Sequence, residues 1–347
     1  MACLPGNPPG RPFRAGTIPG RAVAADTRDL PGGAVSHAHA HAFAHDALLY
    51  DGLDGFVEET LPFIREGLAA GEPTLVAVPS DRMARLREAL DGDADRIFLA
   101  DMAGLGRNPA AIISAWRDFV GENDAGRRPL RGIGEPIWAG RTAEEIVECQ
   151  RHESLLNLAF GGGPAWQLVC PYDTGALSED VIAEARRSHP FVREHGARRP
   201  SPEYTAPAGV LAAGEDDLPP VPAEARRLTF GREEIAGLRR IAAAYARDAG
   251  LGDDRSADLV LAVSEIATNS VIHGGGAGQL AIWLEPRAVV CEVRDAGRIS
   301  DPLVGRARPR PEQRGGHGMW LANALCDLVQ LRSVAGGSVV RLTVRDC

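Results

Sequence analysis

The side chains with the most chemistry to offer lie in DLVLAVSEIATNSVIH, residues 258–273. In helical register Leu259, Val263, Ile266 and Ser270 share one face, while Glu265, Asn269 and His273 follow one another at four-residue intervals along its flank. A carboxylate, a carboxamide and an imidazole beside an apolar stripe are more than an amphipathic helix needs in order to fold, and they suggest a pocket wall. Such a row also occurs on ordinary solvated helices, so its meaning depends on what it meets. Two later segments bear on that. Asp295 and Gly297 in VRDAG close an apolar strand, and Gly316 and Gly318 in GGHGMWL open a helix, with Arg314 just before them.

The order Glu-x-x-x-Asn, Asp-x-Gly, Gly-x-Gly resembles the three nucleotide-binding boxes of the GHKL ATPases, the superfamily of gyrase, heat-shock chaperones and histidine kinases. Within it the segment is most similar to the small anti-sigma-factor serine kinases of bacteria. The resemblance implies a Bergerat-type, two-layer α/β sandwich with ATP and Mg²⁺ between its helices and a lid. Asp295 then accepts the exocyclic amino hydrogen of adenine, and Gly297 lets the backbone come close. Asn269 offers Mg²⁺ a hard amide oxygen. Gly316 and Gly318 turn backbone N–H groups toward phosphate at a helix N-terminus, and Arg314 adds charge. His273 suits either the phosphates or the end of its own helix. Glu265, one turn before Asn269, is placed as the general base for an attacking hydroxyl. The implied partners are a sigma factor and an anti-sigma-factor antagonist whose Ser or Thr receives the phosphoryl group. Alternatives are an ATPase, with water as the attacker, and a non-catalytic, ATP-dependent sigma-factor-binding module. Ile299 stands where many relatives carry a second glycine, a departure that bears on turnover more than on nucleotide binding.

The elements that must hold these residues follow from the pattern. Residues 228–251 supply a strand and a helix, 278–285 and 288–295 adjacent strands, 317–327 a helix, and 328–333 with 338–344 a hairpin, which together predict helices on one face of a mixed sheet. Between Asp295 and Gly316 runs a loop of about 20 residues carrying Arg306, Arg308, Arg310 and Arg314, a length usually reserved for function.

Upstream, residues 43–195 alternate short apolar strands (73–79, 97–101, 131–138, 166–173) with helices (52–70, 80–90, 109–122, 142–160), and Gly71 lies where a helix C-cap belongs. This predicts a three-layer α/β domain with a mainly parallel sheet. It contains no G-x-x-x-x-G-K-[ST] loop. HDALLYDGLDGFVEETLPFIREGLAAGEPTLVAVP, GIGEPIWAG, HESLLNLAF, LVCPYDTGAL and SHPFV resemble the MEDS sensory domain, which implies a sensor role and a small-molecule ligand without naming it. Glu135, Trp138, Cys170, Tyr172 and Asp173 lie at C-terminal strand ends, where open α/β sheets bind ligands. His152-Glu153 resembles the phosphoacceptor box of sensor histidine kinases, but the two long helices such a box needs do not follow it.

Residues 1–42 are rich in Gly, Pro, Ala and Arg and are expected to be a disordered tail. The tract with His37, His39, His41 and His45 alternates with Ala and reads as a drifting repeat rather than a metal site; His45 stands apart because it abuts the first ordered segment. Prolines 200, 202, 207, 219, 220 and 222 mark residues 196–226 as a flexible linker to an ATP-binding domain over 227–347. A net charge of −9 argues against non-specific binding to nucleic acid or acidic membranes. Six cysteines without C-x-x-C pairs fit reduced thiols, and no apolar run suits a membrane span, so the expected setting is cytoplasmic. A homodimer is compatible with all of this.

Overall fold

Strands that are apolar at every position need cover on both faces, and the first half of the chain supplies it. The computed structural model describes residues 43–124, 128–207, 218–310, 312, 316–334 and 336–346. The tail over 1–42, with His37, His39 and His41, therefore lies outside the described residues.

The elements in order are β1 (Ala44–Tyr50), α1 (Gly52–Ala70), β2 (Thr74–Val78), α2 (Ser80–Leu90), β3 (Phe98–Asp101), α3 (Met102–Leu105), α4 (Pro109–Asn123), β4 (Leu130–Gly134), α5 (Ala143–Phe160), β5 (Trp166–Asp173), α6 (Glu179–Ser188), β6 (Phe191–Glu194) and β7 (Ala197–Pro200). The sheet runs β3-β2-β4-β5-β1-β6-β7, parallel except for β7 at its edge. The chain first winds outward from β1 to β3, and α1 and α2 cover one face through Phe56, Phe63, Ile64 and Leu86. It then winds back, so α4, α5 and α6 cover the other through Ile112, Trp116, Leu155, Phe160 and Val181. Two local devices fix the helix ends. Gly71 caps α1 in the left-handed conformation (φ 66°), and Thr142 and Glu145 close a capping box at the start of α5.

The second half comprises β8 (Arg226–Phe230), α7 (Ile235–Asp248), α8 (Asp253–His273), β9 (Gly278–Glu285), β10 (Ala288–Asp295), α9 (His317–Leu325), β11 (Leu328–Val334) and β12 (Gly337–Arg345). Its sheet, β11-β12-β10-β9-β8, is antiparallel at every pairing rather than mixed. The crossover from β10 through α9 to β11 skips one position, and β12 fills it antiparallel to both neighbours. Helices α7, α8 and α9 cover one face through Leu238, Ala242, Leu259, Val263, Ile266 and Ala322. The opposite face carries Trp283, Ala281 and Val290, covered by Val221 and Ala225.

The linker expected over 196–226 is ordered at both ends. Residues 197–200 pair with β6 as β7, where Arg198 reaches Asp46 at 2.6 Å; the Pro219 carbonyl accepts from Arg341 at 2.6 Å. Residues 208–217 lie outside the described residues.

Side chains from both halves bridge this junction, so the independent movement expected of the sensor half meets specific contacts. Arg332 of β11 pairs with Glu148 of α5 at 2.6 Å, with side chains only 4% and 2% exposed. Arg345 reaches Glu145 at 2.6 Å, Arg107 reaches Asp327 at 3.2 Å, and Asn108 donates to the Asn323 carbonyl at 2.9 Å. Removing one member of a buried pair costs about 3–5 kcal/mol, whereas replacing both by apolar side chains is far milder. Glu148→Ala should therefore lower the unfolding free energy from chemical denaturation by that much, and Glu148→Leu with Arg332→Met should recover most of it; a single variant as stable as the parent would show the pair to be solvated.

Candidate nucleotide site

Helix α8 buries Leu259, Val263, Ile266 and Ser270 against the sheet, which leaves Glu265 and Asn269 part-exposed on its flank. Gly316 is the N-cap of helix α9, and its left-handed backbone (φ 78°) favours glycine. Two residues on, Gly318 is pressed onto α8: a Cβ there would lie 2.9 Å from Asn269 Nδ2 and 3.0 Å from Glu265 Oε2. The absence of a side chain at 318 thus lets the first turn of α9 meet the two polar side chains predicted to face phosphate.

Asp295, at the end of β10, is held by three donors. Ser270 Oγ donates to Oδ2 at 2.6 Å, while Ser338 Oγ and the Gly297 N–H both donate to Oδ1 at 2.8 Å. These fix the carboxylate while Oδ2, which among the described residues accepts only from Ser270, retains acceptor capacity, as recognition of an amino group requires. Gly297 packs equally tightly, since a Cβ would lie 2.9 Å from the His273 carbonyl oxygen. The His273 side chain itself is exposed at the end of α8. The structure therefore brings together Glu265, Asn269 and Gly318, and joins Asp295 and Gly297 to the same helix. Arg314 lies outside the described residues. The sequence pattern does not point to Ser270 or Ser338 as partners of Asp295; the one signal for Ser270 is a hydroxyl inside an apolar stripe.

The loop after β10 is engaged by the sensor half. Leu303 packs against the sensor core, and Arg308 meets Asp118 of α4 at 3.5 Å. Arg306 is buried; burial pulls its guanidinium down to about 10, with Glu148 as the counter-charge, and among the described residues its Nη1 has no hydrogen-bond partner. Ile299, at the departure from the glycine pattern, accepts a hydrogen bond from Ser333 Oγ at 3.1 Å.

The residues expected at the sensor sheet's C-terminal edge divide between its faces. Glu135 is fully buried, accepts from Tyr50 Oη at 2.7 Å and pairs with Arg82 at 2.8 Å; Arg82 also approaches Asp173 at 3.4 Å. Burial pushes the Glu135 carboxyl up to about 8 against the pull of Arg82. Cys170 and Tyr172 point to the other face, as strand alternation demands, and Trp138 lies under the Arg141 guanidinium at 4.0 Å. His152 is 1% exposed and its ring is pushed down to about 3 by burial, so it is a core residue rather than an accessible phosphoacceptor. Among the described residues no helix is long and apolar enough to cross a membrane.

Residues 44–190 match the model of the MEDS family, the methanogen/methylotroph, DcmR sensory domain, and residues 229–344 match that of the histidine kinase-like ATPase domain. No curated protein matches the chain. Among solved structures it is similar to the RsbU and RsbW domains of Rv1364c from Mycobacterium tuberculosis, at 22% identity and a TM-score of 0.27 over 35% of this chain. It spans 32% of the length of that structure.

Two measurements test the local geometry. Gly318→Ala forces a methyl against Asn269 and Glu265, an overpacking worth about 1–3 kcal/mol, and should weaken adenine-nucleotide binding in calorimetry about tenfold or more. For Glu135, the folded state keeps a proton that the unfolded chain releases above its ordinary pKa. Its contribution to stability is complete below about 4.5 and is lost as pH rises to about 8, with a slope of up to about 1.4 kcal/mol per pH unit. Glu135→Gln should flatten that part of the stability profile.

Proposed function

From a chain that joins a MEDS sensory domain to a histidine kinase-like ATPase domain, we propose an ATP-binding signalling regulator that transfers phosphate to a partner protein. The observation that carries this reading is the approach of Gly318 to Glu265 and Asn269, which sets a carboxylate and a carboxamide beside a helix N-terminus. Asp295 and Gly297 hold the adenine edge, and the N–H groups at Gly316 and Gly318 hold phosphate oxygens. Asn269 Oδ1 would hold Mg²⁺, which would supply charge neutralisation for the phosphates. Glu265 takes the proton of a Ser or Thr hydroxyl as its oxygen bonds to the γ-phosphorus and the bond to ADP breaks. The partner is an anti-sigma-factor antagonist, and the unphosphorylated arm of the cycle sequesters a sigma factor in the cytoplasm.

A second reading, a nucleotide-shaped surface that binds a sigma factor without catalysis, is favoured by Ile299 and by the docking of Leu303 and Arg306 against the sensor half. The two readings part in one experiment. With labelled ATP and candidate antagonists, Glu265→Ala should cut transfer by about 10²–10⁴-fold yet leave partner capture intact, whereas Asn269→Ala should reduce both. Label absent from every antagonist, with a competent kinase as positive control, sinks the catalytic reading and leaves the binding one.

A further inference from the structure

Four residues far apart in the chain meet in the interior of the sensor half, away from the nucleotide site. His45 on β1, Glu153 on α5, Cys170 on β5 and His189 just after α6 are each at most 1% exposed. One ligand-type atom from each lies within 4.8 Å of all the others. His45 Nε2 is 3.1 Å from Glu153 Oε2 and 3.3 Å from Cys170 Sγ; Cys170 Sγ is 3.3 Å and His189 Nε2 is 3.4 Å from the same Glu153 oxygen. A tetrahedral ion with bonds of about 2.0–2.3 Å to N, O and S spaces its ligand atoms by about 3.3–3.6 Å, so four of the contacts already have nearly that spacing.

The surroundings settle which ring nitrogens face inward. Asn157 Nδ2 donates to the Ser188 carbonyl at 2.8 Å, which turns its Oδ1 to accept from His45 Nδ1–H at 3.1 Å. The Ala185 carbonyl accepts from His189 Nδ1–H at 2.8 Å. In the neutral rings both Nε2 atoms therefore carry lone pairs, and both are aimed at a carboxylate oxygen. His189 Nε2 and Glu153 Oε1 have no hydrogen-bond partner among the described residues. Lone pairs pressed together in a buried, low-dielectric site repel unless a cation lies among them.

We propose that His45, Glu153, Cys170 and His189 form a closed four-ligand site for a divalent metal ion of the zinc class. Two imidazoles, a thiolate and a carboxylate suit Zn²⁺ and disfavour Mg²⁺ and Ca²⁺, which take oxygen ligands. Asn157 and the Ala185 carbonyl act as positioning groups that fix the ring tautomers, as partners of metal-bound histidines do. On binding, the Cys170 thiol gives up its proton to solvent as the sulfur–metal bond forms. The site lies on the helix whose Glu145 and Glu148 pair with the ATPase half, so the ion braces the same helix that joins the domains.

The test uses the full chain, stripped with chelator and titrated with Co²⁺ and, separately, Zn²⁺. Expected are one equivalent of metal by elemental analysis, and with Co²⁺ a thiolate-to-cobalt charge-transfer band with intense tetrahedral visible bands. Cys170→Ser should abolish the charge-transfer band, and Asn157→Leu should weaken Zn²⁺ binding about 10–100-fold. A variant with His37, His39 and His41 all changed to Ala should bind as the parent does. The proposal is overturned if the folded parent binds neither ion, if the cobalt spectrum is octahedral without a sulfur band, or if the triple variant loses the equivalent. The parent's spectrum alone reports sulfur ligation and geometry, so the test decides the matter even where Cys170→Ser fails to fold.

Discussion

The nucleotide half depends on how closely α9 can approach α8, and the missing Cβ at Gly318 sets that distance. Were the two helices held further apart, Glu265 and Asn269 would face a gap and the positive end of α9 would point at nothing in particular. The same economy recurs at Asp295, where Gly297 and Gly274 leave the carboxylate room to be gripped by two serines and a backbone N–H. The polar groups of the candidate site sit on rigid elements, and small residues rather than flexible loops bring them into range.

A second constraint acts across the chain. Helix α5 contributes Glu153 to the interior of the sensor half and Glu145 and Glu148 to the ATPase half, within about 12 Å along one rigid helix. The loop after β10 inserts into the same region, with Leu303 in the sensor core and Arg306 beside Glu148. The loop that joins Asp295 to Gly316 is thus also in contact with the sensor, which gives a change in one half a physical route to the other.

Local patterns in the sequence are a good guide to elements. The helix over 52–70 with its Gly71 cap, the strands over 278–285 and 288–295, and the helix opening at His317 all lie where periodicity and capping residues place them. Sheet pairing is less legible. Nothing local tells that β12 slips between β10 and β11, and the sheet expected to be mixed is antiparallel. The contacts between halves are hidden for a related reason. Arg332 and Arg345 occupy strand positions that read as solvent-facing until the partner domain supplies Glu148 and Glu145. The cluster around Glu153 shows the limit most clearly, because His45 lies 108 residues from that carboxylate and reads in sequence as the end of a histidine repeat. The Cys170 thiol and the Glu153 carboxylate, both more than 100 residues away in sequence, adjoin it in space.

The paired arginines on β11 and β12 bear on how freely this sensor can be exchanged. A domain joined only by a tether can be recombined with any output, but one whose helix is neutralised by its neighbour's guanidinium groups cannot be separated without leaving those acidic side chains unpaired. A chimaera that transplants residues 43–207 onto another effector would need to bring basic residues at the positions of Arg332 and Arg345, or to erase Glu145 and Glu148, to stay folded and coupled. Shuffling in evolution or in engineering would then select for grafts that keep both sides of the seam together.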